Sequence, residues 1–69
     1  MTYWHVEIDL EGRDTYSVTL PKLRPDEDGA DVCERICKLP YPTFQESEKK
    51  YTVINSKKII RMEIEEVDE

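Results

Sequence analysis

Glycine is nearly absent from this sequence. Gly12 and Gly29 are the only two in 69 residues, and neither stands in a Gly-rich motif of the kind that cradles phosphates. Histidine is rarer still. With His5 alone, there is little from which to assemble a nucleophile, a base and the third group that holds the base. Two cysteines, Cys33 and Cys37, are too few for a disulfide scaffold. Thiolate metal sites commonly use Cys-x-x-Cys turns plus a second pair, which this chain does not supply. No apolar run approaches the roughly 18 residues that a membrane span needs. The start, Met1-Thr2-Tyr3-Trp4-His5, lacks the basic-then-apolar order of a secretory signal. These absences lead to the expectation of a cytoplasmic, non-catalytic protein with reduced thiols, no metal and no cofactor.

Positive charge is also scarce: 10 basic residues face 16 acidic ones, for a net charge of −6. Such a field repels phosphate, so nucleic acid is not expected as a partner of the whole surface. Size adds a further constraint. A chain this short buries only about 60% of the surface its unfolded form exposes. Its core supplies roughly 3–5 kcal/mol unless disulfides, metal or association help. Association with copies of itself or with a protein partner is the help that remains open.

What the sequence does contain is pattern. Residues 3–10 alternate, with Trp4, Val6, Ile8 and Leu10 on one face and Tyr3, His5, Glu7 and Asp9 on the other, which predicts a half-buried strand. Gly12 offers a positive φ for a turn, and Tyr16, Val18 and Leu20 continue the alternation in a second strand. Pro21 and Pro25 then interrupt. From Asp26 the period changes, and Val32, Cys33, Ile36 and Cys37 form one helical stripe. A helix is predicted over Asp28–Leu39, with Asp28 as N-cap, a start as early as Asp26 left open, and Pro40 and Pro42 beyond its end. On this spacing both cysteines are expected in the core, as small hydrophobes with raised pKa. Leu39–Phe44 reads as an extended connector and Gln45–Lys50 as a polar loop. Val67-Asp68-Glu69 is expected to fray.

The strongest hairpin signal is Tyr51–Ile64: Tyr-Thr-Val-Ile, then Asn-Ser-Lys-Lys, then Ile-Ile-Arg-Met-Glu-Ile, with Ile60, Met62 and Ile64 facing inward. The expected fold is therefore α+β over one domain, residues 1–69. Two antiparallel β-hairpins are joined through one helix (β-β-α-β-β), and the helix packs on a curled antiparallel sheet.

The same stretch holds the basic residues. Lys49, Lys50, Lys57, Lys58 and Arg61 occur with no acid between them, while the rest of the chain carries all 16 acids and five bases. Such residues protect edge strands from pairing. They also suit an anion site, with Tyr51 or Tyr41 stacking on a ring. His5, Glu7 and Asp9 on one strand face could place two ligands on a metal, but solvated surface is the commoner role.

The run Val53-Ile54-Asn55-Ser56-Lys57-Lys58-Ile59-Ile60-Arg61-Met62 resembles hairpins of small β-rich proteins of bacteria and phages, including the last hairpin of SH3-like and Sm-like barrels. The short acidic chain is similar in character to phage accessory proteins. That class includes inhibitors of host-defence enzymes and oligomeric proteins that sequester nucleotide signals. A subunit this small can hardly enclose a pocket of about 300 Å³, so with the basic cluster at hand the expectation is a homo-oligomer binding an anionic, nucleotide-like ligand between subunits. The residues expected to contact it are Lys49, Lys50, Tyr51, Lys57, Lys58, Arg61 and Tyr41. A second expectation is a protein–protein inhibitor or adaptor whose acidic helix face, Asp28, Asp31 and Glu34, docks on a basic partner.

Overall fold

The computed structural model describes residues 2–68. Within them run β1 (Thr2–Leu10), β2 (Tyr16–Pro21), α1 (Gly29–Cys37), β3 (Thr43–Ser47) and β4 (Lys50–Val53). A 3-10 turn at Ser56–Lys58 then leads into β5 (Ile59–Asp68). β1 is the middle strand of an antiparallel sheet ordered β2-β1-β5, and β3 and β4 form a separate two-stranded sheet. The α+β class agrees with the sequence, but the order is β-β-α-β-β-β.

The N-terminal hairpin forms as its alternation predicts. Trp4 faces Leu20, Val6 faces Val18 and Ile8 faces Tyr16, and Gly12 takes a φ of 73° in the turn. The helix also starts where its sequence indicates. Asp31 N donates to Asp28 Oδ1 at 2.9 Å, and Asp28 N donates back to Asp31 Oδ2 at 3.1 Å, so two end donors are satisfied reciprocally. The helix closes at Cys37, two residues short of Leu39, with Lys38 as C-cap.

The Tyr51–Ile64 hairpin does not form. β4 pairs with β3, in the segment expected to be connector and loop, and the chain reverses at Glu48-Lys49 instead. β5 crosses to the other sheet and pairs with β1 from Leu10 back to Thr2. Asn-Ser-Lys-Lys is thus a crossing between sheets. Asn55 accepts the Lys57 N–H at 3.0 Å and shapes it as a 3-10 turn. Val67 and Asp68 are held in β5 opposite Tyr3 and Thr2; Glu69 lies outside the described residues. The inward face of β5 also differs by one residue. Asp9 faces Arg61 and Leu10 faces Ile59, so Ile60 is the extra residue of a bulge and is 70% exposed.

Trp4, Val6, Ile8, Val32, Ile36, Phe44 and Ile54 make the core, with Tyr16, Val18, Leu20, Ile59, Met62 and Ile64 packed around it. Cys33 and Cys37 are not in it. Cys33 is half-buried and Cys37 exposed, because Val32 and Ile36 point at the sheet and the cysteines sit one position round the helix. Burial still raises the Cys37 thiol pKa, assisted by the hydrogen bond and charge of Cys33.

Among the described residues, one charged side chain enters the interior. Glu27 accepts the Trp4 indole N–H at 2.8 Å and the Leu23 backbone N–H at 3.3 Å, and Arg35 approaches its other oxygen at 3.4 Å. Burial pushes this carboxyl up. The Trp4 and Leu23 bonds and the charges of Arg35 and Arg24 outweigh it, so the net shift is down from 4.5. A carboxyl depressed on folding stabilises the protein above its unfolded pKa, and that contribution is lost as pH falls through the folded value. Wild type is therefore expected to unfold at higher temperature than Glu27→Gln near neutral pH, with the gap closing below about pH 4. Thermal melts by circular dichroism from about pH 7 to 3 check this; a gap constant across the series would refute it.

Candidate functional site

The fold breaks up the basic cluster. Lys49 and Lys50 lie at the β3–β4 turn, Lys57 and Lys58 at the 3-10 turn, and Arg61 on the outer face of the main sheet beside Asp9. Three of the five meet carboxylates. Lys50 Nζ lies 3.5 Å from Glu46, Lys58 Nζ lies 3.8 Å from Glu11, and Arg61 bonds Glu63. The Thr52 hydroxyl donates to Glu46 at 2.7 Å. That bond, with the nearby Lys50, outweighs burial and holds the carboxyl below 4.5. Lys49 and Lys57 have no carboxylate at salt-bridge distance among the described residues. An acid-free run in sequence is thus not acid-free in space.

The fold also brings together what the sequence left apart. Phe44 and Thr52 turn inward across the small sheet, which turns Thr43 and Val53, and Gln45 and Tyr51, outward as facing pairs. Ile54 N donates to Pro42 O at 3.0 Å and Ser56 N to Pro40 O at 3.1 Å, so the ladder continues beyond both strands and places Tyr41 opposite Asn55. Tyr41, Val53 and Tyr51 therefore share one face, at 62%, 60% and 58% exposure. Same-face neighbours on a strand lie about 7 Å apart, so the two tyrosines are separated by on the order of 13 Å, with Val53 between them. Lys49 stands near the Tyr51 end and Lys57 near the Tyr41 end. No family model, curated protein or solved structure matches the chain. The site rests on the chain's own geometry.

Val53, Thr43 and Gln45 belong to this face and were not anticipated. The signal was present in the alternation Tyr51-Thr52-Val53 against Tyr41-Pro42-Thr43-Phe44-Gln45, once the two segments are taken as partners.

Other concavities carry less. A groove of about 680 Å³ lies between the β1–β2 turn and the stretch Thr52–Asn55 at the end of β4, so it reaches Val53; it is bordered by Arg13 and Lys58 but equally by Glu11 and Asp14. Its charges cancel, and Glu11 N donates to Lys58 O at 2.8 Å, tying its two walls together. The outer face of the main sheet carries Glu7, Asp9, Glu63 and Glu65 against Arg61, with His5 3.3 Å from Glu7. No three His, Cys, Asp or Glu side chains converge on a metal position among the described residues. Asp28 and Asp31 are engaged in the helix cap, and Arg24 reaches Asp31 at 3.5 Å; Glu34 is exposed on α1.

Proposed function

We propose that this protein is a non-catalytic binding module that takes an anionic, nucleotide-like ligand on the outer face of β3–β4. One observation carries the reading: Tyr41, Val53 and Tyr51 lie open on a common face, and the two carboxylate-free lysines of the cluster fall in the turns that flank β4, Lys49 before it and Lys57 in the 3-10 turn after it. Flat rings stack on tyrosine whatever their edge pattern, at roughly 1–3 kcal/mol per base, and lysine supplies the charge for phosphate. The two tyrosines are more than half exposed, so one copy of the chain covers little of a ligand stacked on them. A second copy laid against the face supplies an opposite wall, so the ligand is held between subunits. Retained without being transformed, the ligand would be withdrawn from its free pool, which fits the resemblance to sequestering phage accessory proteins.

The surplus of carboxylates on the main sheet supports a second reading, a protein adaptor docking on a basic partner, now through Glu7, Glu63 and Glu65 in addition to the helix. One panel separates the two. Thermal shift and native mass spectrometry are run with inorganic phosphate, nucleosides, and nucleoside mono- and diphosphates. A phosphorylated nucleoside is expected to raise Tm by at least about 5 °C at saturation and to appear in a dimer. Tyr51→Ala and Lys57→Glu should each weaken binding about tenfold or more, while Lys58→Ala and Arg61→Ala should leave it unchanged. No shift with any nucleotide overturns the first reading. A basic partner captured equally by wild type and by Glu63→Lys/Glu65→Lys overturns docking through the sheet.

A further inference from the structure

The cysteines are outside both the core and the ligand face. Their sulfurs lie 3.9 Å apart on one side of α1, and Cys37 is exposed. A disulfide needs Cβ atoms about 3.5–4.5 Å apart. Residues i and i+4 of a helix hold theirs about 5–6 Å apart. Closing that bond would distort the turn that also seats Val32 and Ile36 in the core. A bridging cation makes no such demand. With Zn–S bonds of about 2.3 Å in a tetrahedral site, adjacent sulfurs stand about 3.8 Å apart, which is close to the separation observed here.

We propose that Cys33 and Cys37 form half of a tetrahedral thiolate site for a zinc-like cation, completed by the same pair from a second copy. Structural zinc sites are closed by four ligands, and no third ligand converges on this pair among the described residues of the same chain. The exposure of Cys37 leaves that side of the helix open to approach. A two-fold axis through the ion would make the contact self-complementary, the usual symmetry of a homodimer. Each of the four thiols gives its proton to solvent as its sulfur–metal bond forms, and no electrons are exchanged. Affinity therefore falls as pH falls.

The test is a titration of the reduced, full-length protein with Cd²⁺ as probe, following the ultraviolet charge-transfer band of cadmium–thiolate bonds and the mass of the native species. Saturation is expected at one ion per two chains, with a dimer carrying one ion and dissociating on chelation. Cys33→Ser and Cys37→Ser should each abolish the band while leaving the helical circular dichroism unchanged. The absence of a thiolate band, saturation at one ion per chain, or an undiminished band in either serine variant would overturn the proposal. The nucleotide face contains neither cysteine, so the two readings fail independently.

Discussion

Trp4→Ala is expected to leave the chain unfolded at room temperature. Trp4 is 3% exposed at the middle of the three-stranded sheet, between Leu20 and Glu66 on its neighbours. Truncating a buried aromatic costs about 3–5 kcal/mol. A core of this size supplies roughly the same amount in total, so little stability is left. The indole also organises the segment between β2 and α1. Its N–H bonds Glu27, which in turn holds the Leu23 backbone and Arg35, and Lys22 lies over the ring at 5.6 Å while pairing with Glu66 at 2.9 Å. Removing the ring leaves a buried carboxylate with fewer donors. Trp4→Phe separates the two effects, since it keeps most of the apolar area and deletes the N–H. It should remain folded with a lower urea midpoint. Urea unfolding by far-ultraviolet circular dichroism measures both variants. A fully cooperative Trp4→Ala transition within about 1 kcal/mol of wild type would contradict this account.

The parts of the fold that were legible in the sequence are those fixed by near neighbours. Alternation from Tyr3 to Leu20 identified two strands, and Gly12 identified the turn between them, because a period of two and a positive φ are local properties. Asp28 was legible as an N-cap for the same reason. Strand partners are not local. Val53-Ile54 and Ile59-Ile60 have the composition of a hairpin, yet β5 finds its partner in β1, at the far end of the chain, where Val6 and Ile8 provide an apolar face for Met62 and Ile64. β3 was hidden because only Phe44 of its five residues is buried, leaving a polar string that reads as loop. The cysteines show how narrow a helical stripe is. Val32 and Ile36 are buried, and one step round the helix brings Cys33 and Cys37 into contact with water.

The candidate site was legible in its parts and not in its arrangement. Tyr41 and Tyr51 read as stacking residues of different segments, and the β3–β4 ladder with its continuation through Pro42 and Pro40 places them on one face. The basic cluster reads as a unit because it is contiguous in sequence. Glu46, Glu11 and Glu63 then reach Lys50, Lys58 and Arg61, and ion pairs of this kind are set by tertiary proximity that spacing does not encode.

Phe44→Ala is expected to detach that face from the protein. Phe44 is the inward-facing aromatic of β3, 6% exposed, and its ring meets Tyr16 of β2 at a centroid distance of 5.7 Å and a tilt of 42°. Together with Ile54, at 4% exposure, it joins the small sheet to the main core. Truncating a buried aromatic costs up to about 3–5 kcal/mol when the whole core must bear it, but a two-stranded hairpin without a packed face is marginal in water, so β3–β4 comes away before that full cost falls on the main sheet. The loss therefore concentrates on β3–β4, whose amides should lose protection in hydrogen exchange before those of β1 and β5. Tyr41, Val53 and Tyr51 keep a common face only while the ladder holds, so nucleotide binding should disappear with that protection. Phe44→Leu retains an apolar plug, costs under about 1.5 kcal/mol by the tolerance of cores for similar volumes, and should keep both. If Phe44→Ala preserved β3–β4 protection, the small sheet would be held by something other than this contact. If binding survived while protection was lost, the ligand face could not be the one formed by Tyr41, Val53 and Tyr51.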